Sequence, residues 1–154
     1  MDRADLEYVG FWLRVVSAII DTLIFGIISW PILETVYGSS YWNPNGPIIK
    51  GPTDFVISWV FPAIATVVCW VKWQATPGKM AISARVVDAN TGAKPSIEQY
   101  AGRYLGYFVS VIPAFLGIIW VGLDQRKQGW HDKLAGTVVV RAKNSNPAPV
   151  RFGG

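Results

Sequence analysis

The sequence predicts an all-α membrane protein: a small helical bundle with two spanning helices, a third apolar segment that is kinked or re-entrant, and a short cytoplasmic strand pair. Composition points this way, because 51% of the 154 residues are hydrophobic and only 16% are charged. Soluble domains carry about 25% charged residues. The apolar residues also fall into three blocks, about 9–33, 55–71 and 104–123. A chain so apolar is neither disordered, collagen-like nor a coiled coil.

The first block, 9–33, is interrupted only by Arg14 and Asp21. As a helix it is long enough to cross a hydrocarbon core of about 30 Å with some tilt. Trp30 and Pro31 mark its end, and aromatic residues of this kind favour the membrane interface. We therefore expect the block to form the first spanning helix.

The second block, 55–71, contains no charged residue and is closed by Trp70 and Trp73. It is the second predicted spanning helix. The turn-forming residues between the two blocks predict a loop at the outer rim. We expect Lys50 and Asp54, at the end of that loop, to be solvated charges.

The third block, 104–123, has Pro113 near its middle and lies between two short predicted strands, Ala84–Asp88 and Gly136–Arg141. A lone short strand is hardly stable in water, so the two would pair on one side of the membrane. Our hypothesis is that the block bends at Pro113 and returns to its side of entry, packed against other protein. The alternative is a kinked third spanning helix with the C-terminal tail outside.

Basic residues set the predicted orientation. The formal net charge is +4, and most bases flank the apolar blocks. The region between the second and third blocks carries Lys72, Lys79, Arg85, Lys94 and Arg103. The positive-inside rule places this region, and with it the N-terminus, in the cytoplasm. Since no nucleic-acid-binding module accompanies the bases, we expect no nucleic-acid partner.

Asp21 is the first candidate functional residue. It lies about 18 Å along the helix from Val9, which would place it near the bilayer centre. A lone carboxylate there costs about 3 kcal/mol or more. Arg14 is two turns earlier on the same face, about 10 Å away. The two side chains are either intramembrane transport residues or a buried structural pair, and Arg14 could instead extend to the headgroups.

His131 and Asp132 form the second candidate. A histidine beside an acid can relay protons near neutral pH. The alternative is a turn anchored at the interface by Trp130, with Asp132 bonded to backbone. The chain has one histidine and one cysteine, Cys69, and shows no nucleophile beside the pair. We therefore expect no catalytic residue, no metal, no cofactor and no enzymatic activity.

Four motifs resemble the RDD family of small bacterial and archaeal membrane proteins. They are Arg-Val-Val-Ser-Ala-Ile-Ile-Asp at 14–21, Ala-Thr-Pro-Gly-Lys-Met at 75–80, Ala-Arg-Val-Val-Asp at 84–88, and the run from Gln125 to Val140 that contains Gly-Trp-His-Asp. The resemblance maps the family's arginine to Arg14 and its first aspartate to Asp21. The second aspartate maps to Asp132 or Asp88, and we favour Asp132. The division is then an N-terminal segment 1–8, an RDD membrane domain 9–141 and a flexible tail 142–154.

The resemblance implies a multi-pass protein of the plasma membrane that transports an ion or small solute, with cation/proton exchange among the activities proposed for the family. Three blocks cannot enclose a path, so besides the lipid bilayer we expect a homo-oligomer or a membrane partner. The alternative is a membrane interaction or assembly module. In that case the basic region 72–103 and the tail would bind a protein partner or anionic lipid.

Overall fold

The computed structural model describes residues 6–113 and 115–142, and its dominant feature is a pair of long apolar helices. Helix α1 spans Phe11–Tyr37 and continues into a 3-10 helix at Gly38–Trp42. The second helix is continuous over Pro52–Trp73 and consists of α2 (Pro52–Phe55), a π-helical turn (Val56–Val60) and α3 (Phe61–Trp73). Both are long and apolar enough to cross a membrane, which confirms the two predicted spanning helices.

The two long helices present most of their apolar surface outward. Only 6% of the most apolar stretch of the first helix and 11% of that of the second are buried inside the protein. The helices contact each other through Phe25 and Phe61, whose ring centroids are 6.0 Å apart. Surfaces of this kind are stable only when lipid or other protein covers them.

The third apolar segment is bent, as predicted. It consists of α5 (Ile97–Val111) and α6 (Leu116–Leu123), whose axes differ by 101°. Ser96 starts α5 with a capping box, in which its hydroxyl accepts from the Gln99 N–H while the Gln99 side chain accepts from the Ser96 N–H.

A three-stranded antiparallel sheet lies at one end of the spanning pair. Its strands are β1 (Leu6–Tyr8), β2 (Ala84–Asp88) and β3 (Thr137–Ala142), in the order β1-β3-β2. The predicted pairing of the second and third strands is confirmed, with Val86 opposite Val139. The chain thus enters α5 from this sheet and returns to it after α6, which fits the re-entrant alternative rather than a third crossing.

Strand β1 was not predicted, because three residues are too few to show an alternating pattern. Its residues fall in the segment 1–8 that the sequence analysis set apart from the domain. The strand is joined to β3 by an ion pair between Glu7 and Arg141, which lie opposite each other. Of the predicted flexible tail 142–154, only Ala142 lies within the described residues.

Two short helices, α4 (Pro77–Ala81) and α7 (Trp130–Leu134), complete this end of the molecule. We call the sheet with α4 and α7 the basal layer. Its core is formed by Val86 and Val139 on one face of the sheet, packed against Trp70 and Tyr100 from the helices. The basal layer therefore has a core of its own, while the spanning helices beyond it are largely exposed.

Asp54 corrects one expectation at the opposite end of the helix pair. It is 1% exposed rather than solvated. Its carboxylate accepts hydrogen bonds from the Ser58 hydroxyl at 2.7 Å, the Lys50 N–H at 2.8 Å and the Tyr41 hydroxyl at 2.9 Å. These hydrogen bonds connect the loop between the spanning helices to the start of the second helix. They also stabilise the carboxylate, because burying a charged group is costly unless its oxygens accept hydrogen bonds.

Candidate functional site

Asp132 lies at the centre of a buried charge cluster. Arg14 Nη1 donates to Asp132 Oδ2 at 2.5 Å, and Arg103 Nη1 donates to the other oxygen, Oδ1. The Gly129 N–H also donates to Oδ2, at 3.1 Å. The side chains of Arg103 and Asp132 are both fully buried. We call Arg14, Arg103 and Asp132 the ion cluster.

Arg14 joins three parts of the chain. Besides Asp132, its guanidinium donates from Nε to the Val9 carbonyl at 3.0 Å and from Nη2 to the Lys127 carbonyl at 2.6 Å. The side chain is therefore held inside the protein and does not extend to the headgroups. It also makes no hydrogen bond or ion pair with Asp21 within the described residues.

Arg103 was missed as a site residue, because the sequence analysis counted it only among the bases that set orientation. It donates to the Thr137 hydroxyl at 2.9 Å, and its guanidinium lies 5.3 Å from the Trp70 ring and 5.8 Å from the Tyr107 ring. The spacing of Tyr100, Arg103 and Tyr107 along one side of α5 was the signal that could have found it, since a helical stripe of such residues faces a core.

Two opposing effects set the pKa of Asp132, namely its burial and the positive charges of the neighbouring arginines. Burial alone would raise the pKa of Asp132, but the guanidinium groups of Arg103 and Arg14 outweigh it and hold that pKa well below its ordinary value. The carboxylate is therefore ionised at any physiological pH. With two arginines around one carboxylate, the ion cluster keeps a net positive charge.

His131 is buried beside the cluster. Its ring stacks on Tyr107 at 4.0 Å between centroids, and its Nδ1 lies 3.2 Å from the Ser110 hydroxyl. Burial lowers the pKa of His131 to about 3, and the neighbouring Asp132 only partly opposes this shift. Within the described residues its Nε2 has no hydrogen-bond partner. A neutral, buried imidazole does not suit the proton relay that the sequence suggested near neutral pH.

The alternative interpretation of the His-Asp pair is closer to the structure. Asp132 does bond to backbone, at Gly129, and α7 forms a single short turn there. Sequence reasoning did not show, however, that the same carboxylate receives two arginines. Those contacts come from α1 and α5, far away in the chain.

Asp21 lies apart from the ion cluster and caps α4. Its oxygens accept from the Thr76 hydroxyl at 2.5 Å and from the Gly78 N–H at 2.7 Å. These partners follow the end of α3, so Asp21 lies near the end of the spanning pair. The sequence analysis expected Asp21 near the bilayer centre, whereas its contacts with Thr76 and Gly78 lie beyond the C-terminal end of α3.

Gly78 allows α4 to approach α1 this closely. A Cβ added there would lie 2.0 Å from the Ser17 carbonyl oxygen, so any side chain would push the two helices apart. Asp88 has a separate role at the end of β2. It accepts from the Thr91 N–H at 2.8 Å and from Gln99 Nε2 at 2.6 Å, which fixes a turn outside the cluster. Of the two alternatives for the second aspartate, the structure thus brings Asp132 to Arg14.

A cavity of about 140 Å³ lies between α1, α6 and the basal layer. Its walls are mostly apolar, and its polar lining comes from Arg14, Lys79, Tyr107 and His131. It thus lies beside the ion cluster and shares Arg14 with it. Pockets with apolar walls and a few convergent polar groups are the usual form of a small-molecule site.

Lys79 is the second residue that sequence reasoning missed. It is only 8% exposed, and among the residues that the structure describes its Nζ has neither a hydrogen bond nor an ion pair. Burial lowers the pKa of Lys79, and the nearby Arg103 and Arg14 act in the same direction against Tyr107 and Asp21. A buried ammonium without a paired carboxylate, beside a cluster of net positive charge, forms a place where an anion is stabilised.

Comparison with known proteins agrees with the motifs. The model of the RDD family matches residues 8–136. An uncharacterized protein of Rickettsia prowazekii, RP437, is 34% identical over 73 residues, which cover 47% of this chain and 40% of that protein. The uncharacterized protein YxaI of Bacillus subtilis is 29% identical over 149 residues, covering 85% of this chain and 95% of that protein. No solved structure matches the chain.

Proposed function

This chain belongs to the RDD family of membrane proteins, and we propose that it transports a small ion or solute that binds in the cavity beside Arg14, Lys79 and His131. The observation that carries the proposal is the position of Lys79, a buried cation that faces this cavity without a paired carboxylate. Buried charges are expensive, and when their pKa is perturbed beside a cavity they mark functional sites.

In this proposal the two family aspartates are positioning residues. Asp132 fixes the guanidinium of Arg14 at one wall of the cavity. Asp21 holds the start of α4, and Lys79 is the next residue after Gly78 in that helix. The two aspartates of the family signature thus orient both cations that face the cavity, Arg14 and Lys79.

The cationic lining favours an anion as the species that occupies the cavity. Cation/proton exchange would require the cation to bind beside Arg14 and Lys79, which like-charge repulsion opposes. Protons are the exception, because burial lowers the pKa of Lys79 and so makes its proton easier to release. Transport of an anion, alone or with a proton, is therefore the form of the proposal that the geometry supports best.

The proposal includes an oligomer in the plasma membrane. Two spanning helices and a bent segment do not surround a continuous path, and the exposed faces of α1 and α3 are available to a second copy. We place the basal layer and the N-terminus in the cytoplasm, following the positive-inside rule. The rival interaction module is weakened, since Lys79 and Arg103, two of the bases counted for its platform, are buried.

Purified protein in liposomes tests the transport proposal. Vesicles would be incubated with radiolabelled chloride, phosphate or acetate, one anion at a time, and the label taken up would be counted. We expect at least one anion to give flux above that of empty vesicles, and Lys79→Gln to abolish that flux. Lys133→Gln is the matched control, because Lys133 is exposed, pairs with Asp124 and lies over the Trp120 ring, and is not part of the cavity lining. If vesicles with wild-type protein show no more anion flux than empty vesicles, the transport proposal is contradicted.

Asp21→Asn is the second variant for the same assay. We expect it to lose flux while the protein stays folded, because the amide cannot accept both hydrogen bonds and α4 would shift with Lys79. Unchanged flux would remove Asp21 from the mechanism. If neither wild type nor variant moves any solute and a soluble partner co-purifies stably, the interaction module is the better account.

A further inference from the structure

The cavity does not end at its cationic side chains. A second, shallower groove on the surface of α1 shares Val15 and Ala18 with the cavity and continues past Ile19 and Leu23. Ile19 and Leu23 are 54% and 60% exposed, so this groove opens on the outer, apolar surface of the spanning pair. A cationic pocket and an apolar groove therefore adjoin each other along one helix.

The hydrogen-bond donors of Arg14 and Lys79 at the cavity suit a carboxylate. Three of the five N–H groups of Arg14 already donate to Val9, Asp132 and Lys127. Lys79 retains all three of its own, since no acceptor within the described residues takes them. Arg14 is already paired with Asp132, so Lys79 is the cation at this cavity that has no carboxylate partner among the described residues. One such ammonium matches the single charge of a carboxylate.

The volume of the cavity limits the size of the ligand. The cavity measures about 140 Å³, and an apolar cavity of roughly 150 Å³ is enough for one benzene molecule. A carboxylate with a few methylene groups therefore fits inside, but a whole phospholipid headgroup does not. Any longer chain must leave along the groove beside Val15 and Ala18.

We infer that this site binds a fatty acid, with its carboxylate at Lys79 and Arg14 and its alkyl chain in the groove along α1. The inference names the solute class for the proposed transport and in that sense rests on it. It can still be tested without flux, because binding is measurable on purified protein. Apolar walls along the groove would hold the chain by burying its methylene groups.

The experiment is equilibrium dialysis of radiolabelled dodecanoate against purified protein in maltoside detergent. We expect saturable binding of one dodecanoate per chain. Lys79→Gln should weaken it by about tenfold or more, the size of one lost charged hydrogen bond. Lys79→Arg should retain most of the affinity, and Lys133→Gln should bind as wild type does.

A second variant, in the groove, tests the inference independently in case Lys79→Gln fails to fold. Ala18→Phe fills the groove at an exposed position of α1, so it should weaken dodecanoate binding and leave the melting temperature unchanged. Competition experiments against labelled dodecanoate show whether the site binds a fatty acid, a small free anion or a lipid headgroup. Acetate that competes as well as dodecanoate would overturn the chain-binding part in favour of a free-anion site, and displacement by phosphatidylglycerol would overturn it in favour of a lipid headgroup.

Absence of saturable dodecanoate binding overturns the inference outright. The outcomes also separate the inference from the transport proposal. Dodecanoate binding without any flux in liposomes would contradict transport and support the site. Flux of another anion that depends on Lys79, together with no dodecanoate binding, would support transport and overturn the fatty-acid inference.

Discussion

Arg14 and Asp132 are 118 positions apart in the chain, and their side chains form a 2.5 Å ion pair that joins the start of the first spanning helix to α7. Arg14 lines the cavity directly, so the ion pair fixes one residue of the cavity wall. Asp132 uses its other oxygen for Arg103. The ion pair therefore links the basal layer, the spanning helices and the proposed binding site.

Asp132→Asn should destabilise the protein strongly. It leaves Arg103 fully buried without a counter-charge, a change that typically costs about 3–5 kcal/mol. The measurement is the free energy of unfolding in detergent micelles, from denaturant titration followed by tryptophan fluorescence. Glu98→Gln makes the same carboxyl-to-amide change at an exposed position of α5 and should have little effect. Equal losses for the two variants would contradict the account of the cluster.

His131 should stay neutral through the physiological range. Because its folded pKa is about 3 and its unfolded value is near 6.5, the unfolded chain binds more protons between these values. Its contribution to stability is complete above about pH 6.5 and is lost as pH falls toward 3.

The chain has one histidine, so the imidazole gives a single set of NMR signals. We expect those signals not to titrate between about pH 5 and pH 8. The unfolded protein, in denaturant, provides the control and should titrate near 6.5. A folded-state midpoint near neutrality would restore the proton-relay interpretation.

Gly106→Ala should loosen the contact between α5 and α7. A Cβ at this position would lie 2.8 Å from the His131 Cα, a backbone atom that cannot move aside cheaply. Overpacking of this kind costs about 1–3 kcal/mol. Gly102→Ala lies on the same helix with nothing within 4 Å of the added Cβ, and should be neutral or slightly stabilising. Melting temperatures of the two variants in one detergent make the comparison.

Asp21 and Thr76 should be energetically coupled. Their side chains are hydrogen-bonded at 2.5 Å, and a carboxylate acceptor makes such a bond worth about 1.5–3 kcal/mol. A double-mutant cycle with Asp21→Ala and Thr76→Val would measure the coupling from the free energies of unfolding. Additive losses would show that the capping contact contributes nothing to stability.

Single-cysteine labelling tests the orientation. With Cys69→Ala as background, we expect Asn45→Cys to react with an impermeant thiol reagent on intact cells, because it lies in the loop between the spanning helices. Lys94→Cys and Gln125→Cys, on the two sides of the bent segment, should react only after the membrane is broken. Labelling of Gln125→Cys but not Lys94→Cys from outside would establish a third crossing.

Local patterns in the sequence were enough to predict the main architecture. The blocks 9–33 and 55–71 lie within the observed helical stretches to within a few residues, since long apolar runs have few other stable states. Pro113 and the two flanking strands predicted the bend, because strand pairing requires both ends of the block at one sheet.

The sequence by itself therefore determined the membrane class, the two long helices, the bent segment and the importance of Arg14. Only the tertiary structure decided which aspartate Arg14 binds and where Asp21 lies. It also moved Lys79 and Arg103 from the predicted basic surface to the interior. The physical reason is that a charge carries no local pattern to say whether it will be buried. Whether a charged residue can be buried depends on partners such as Asp132, which the fold brings from a distant part of the chain.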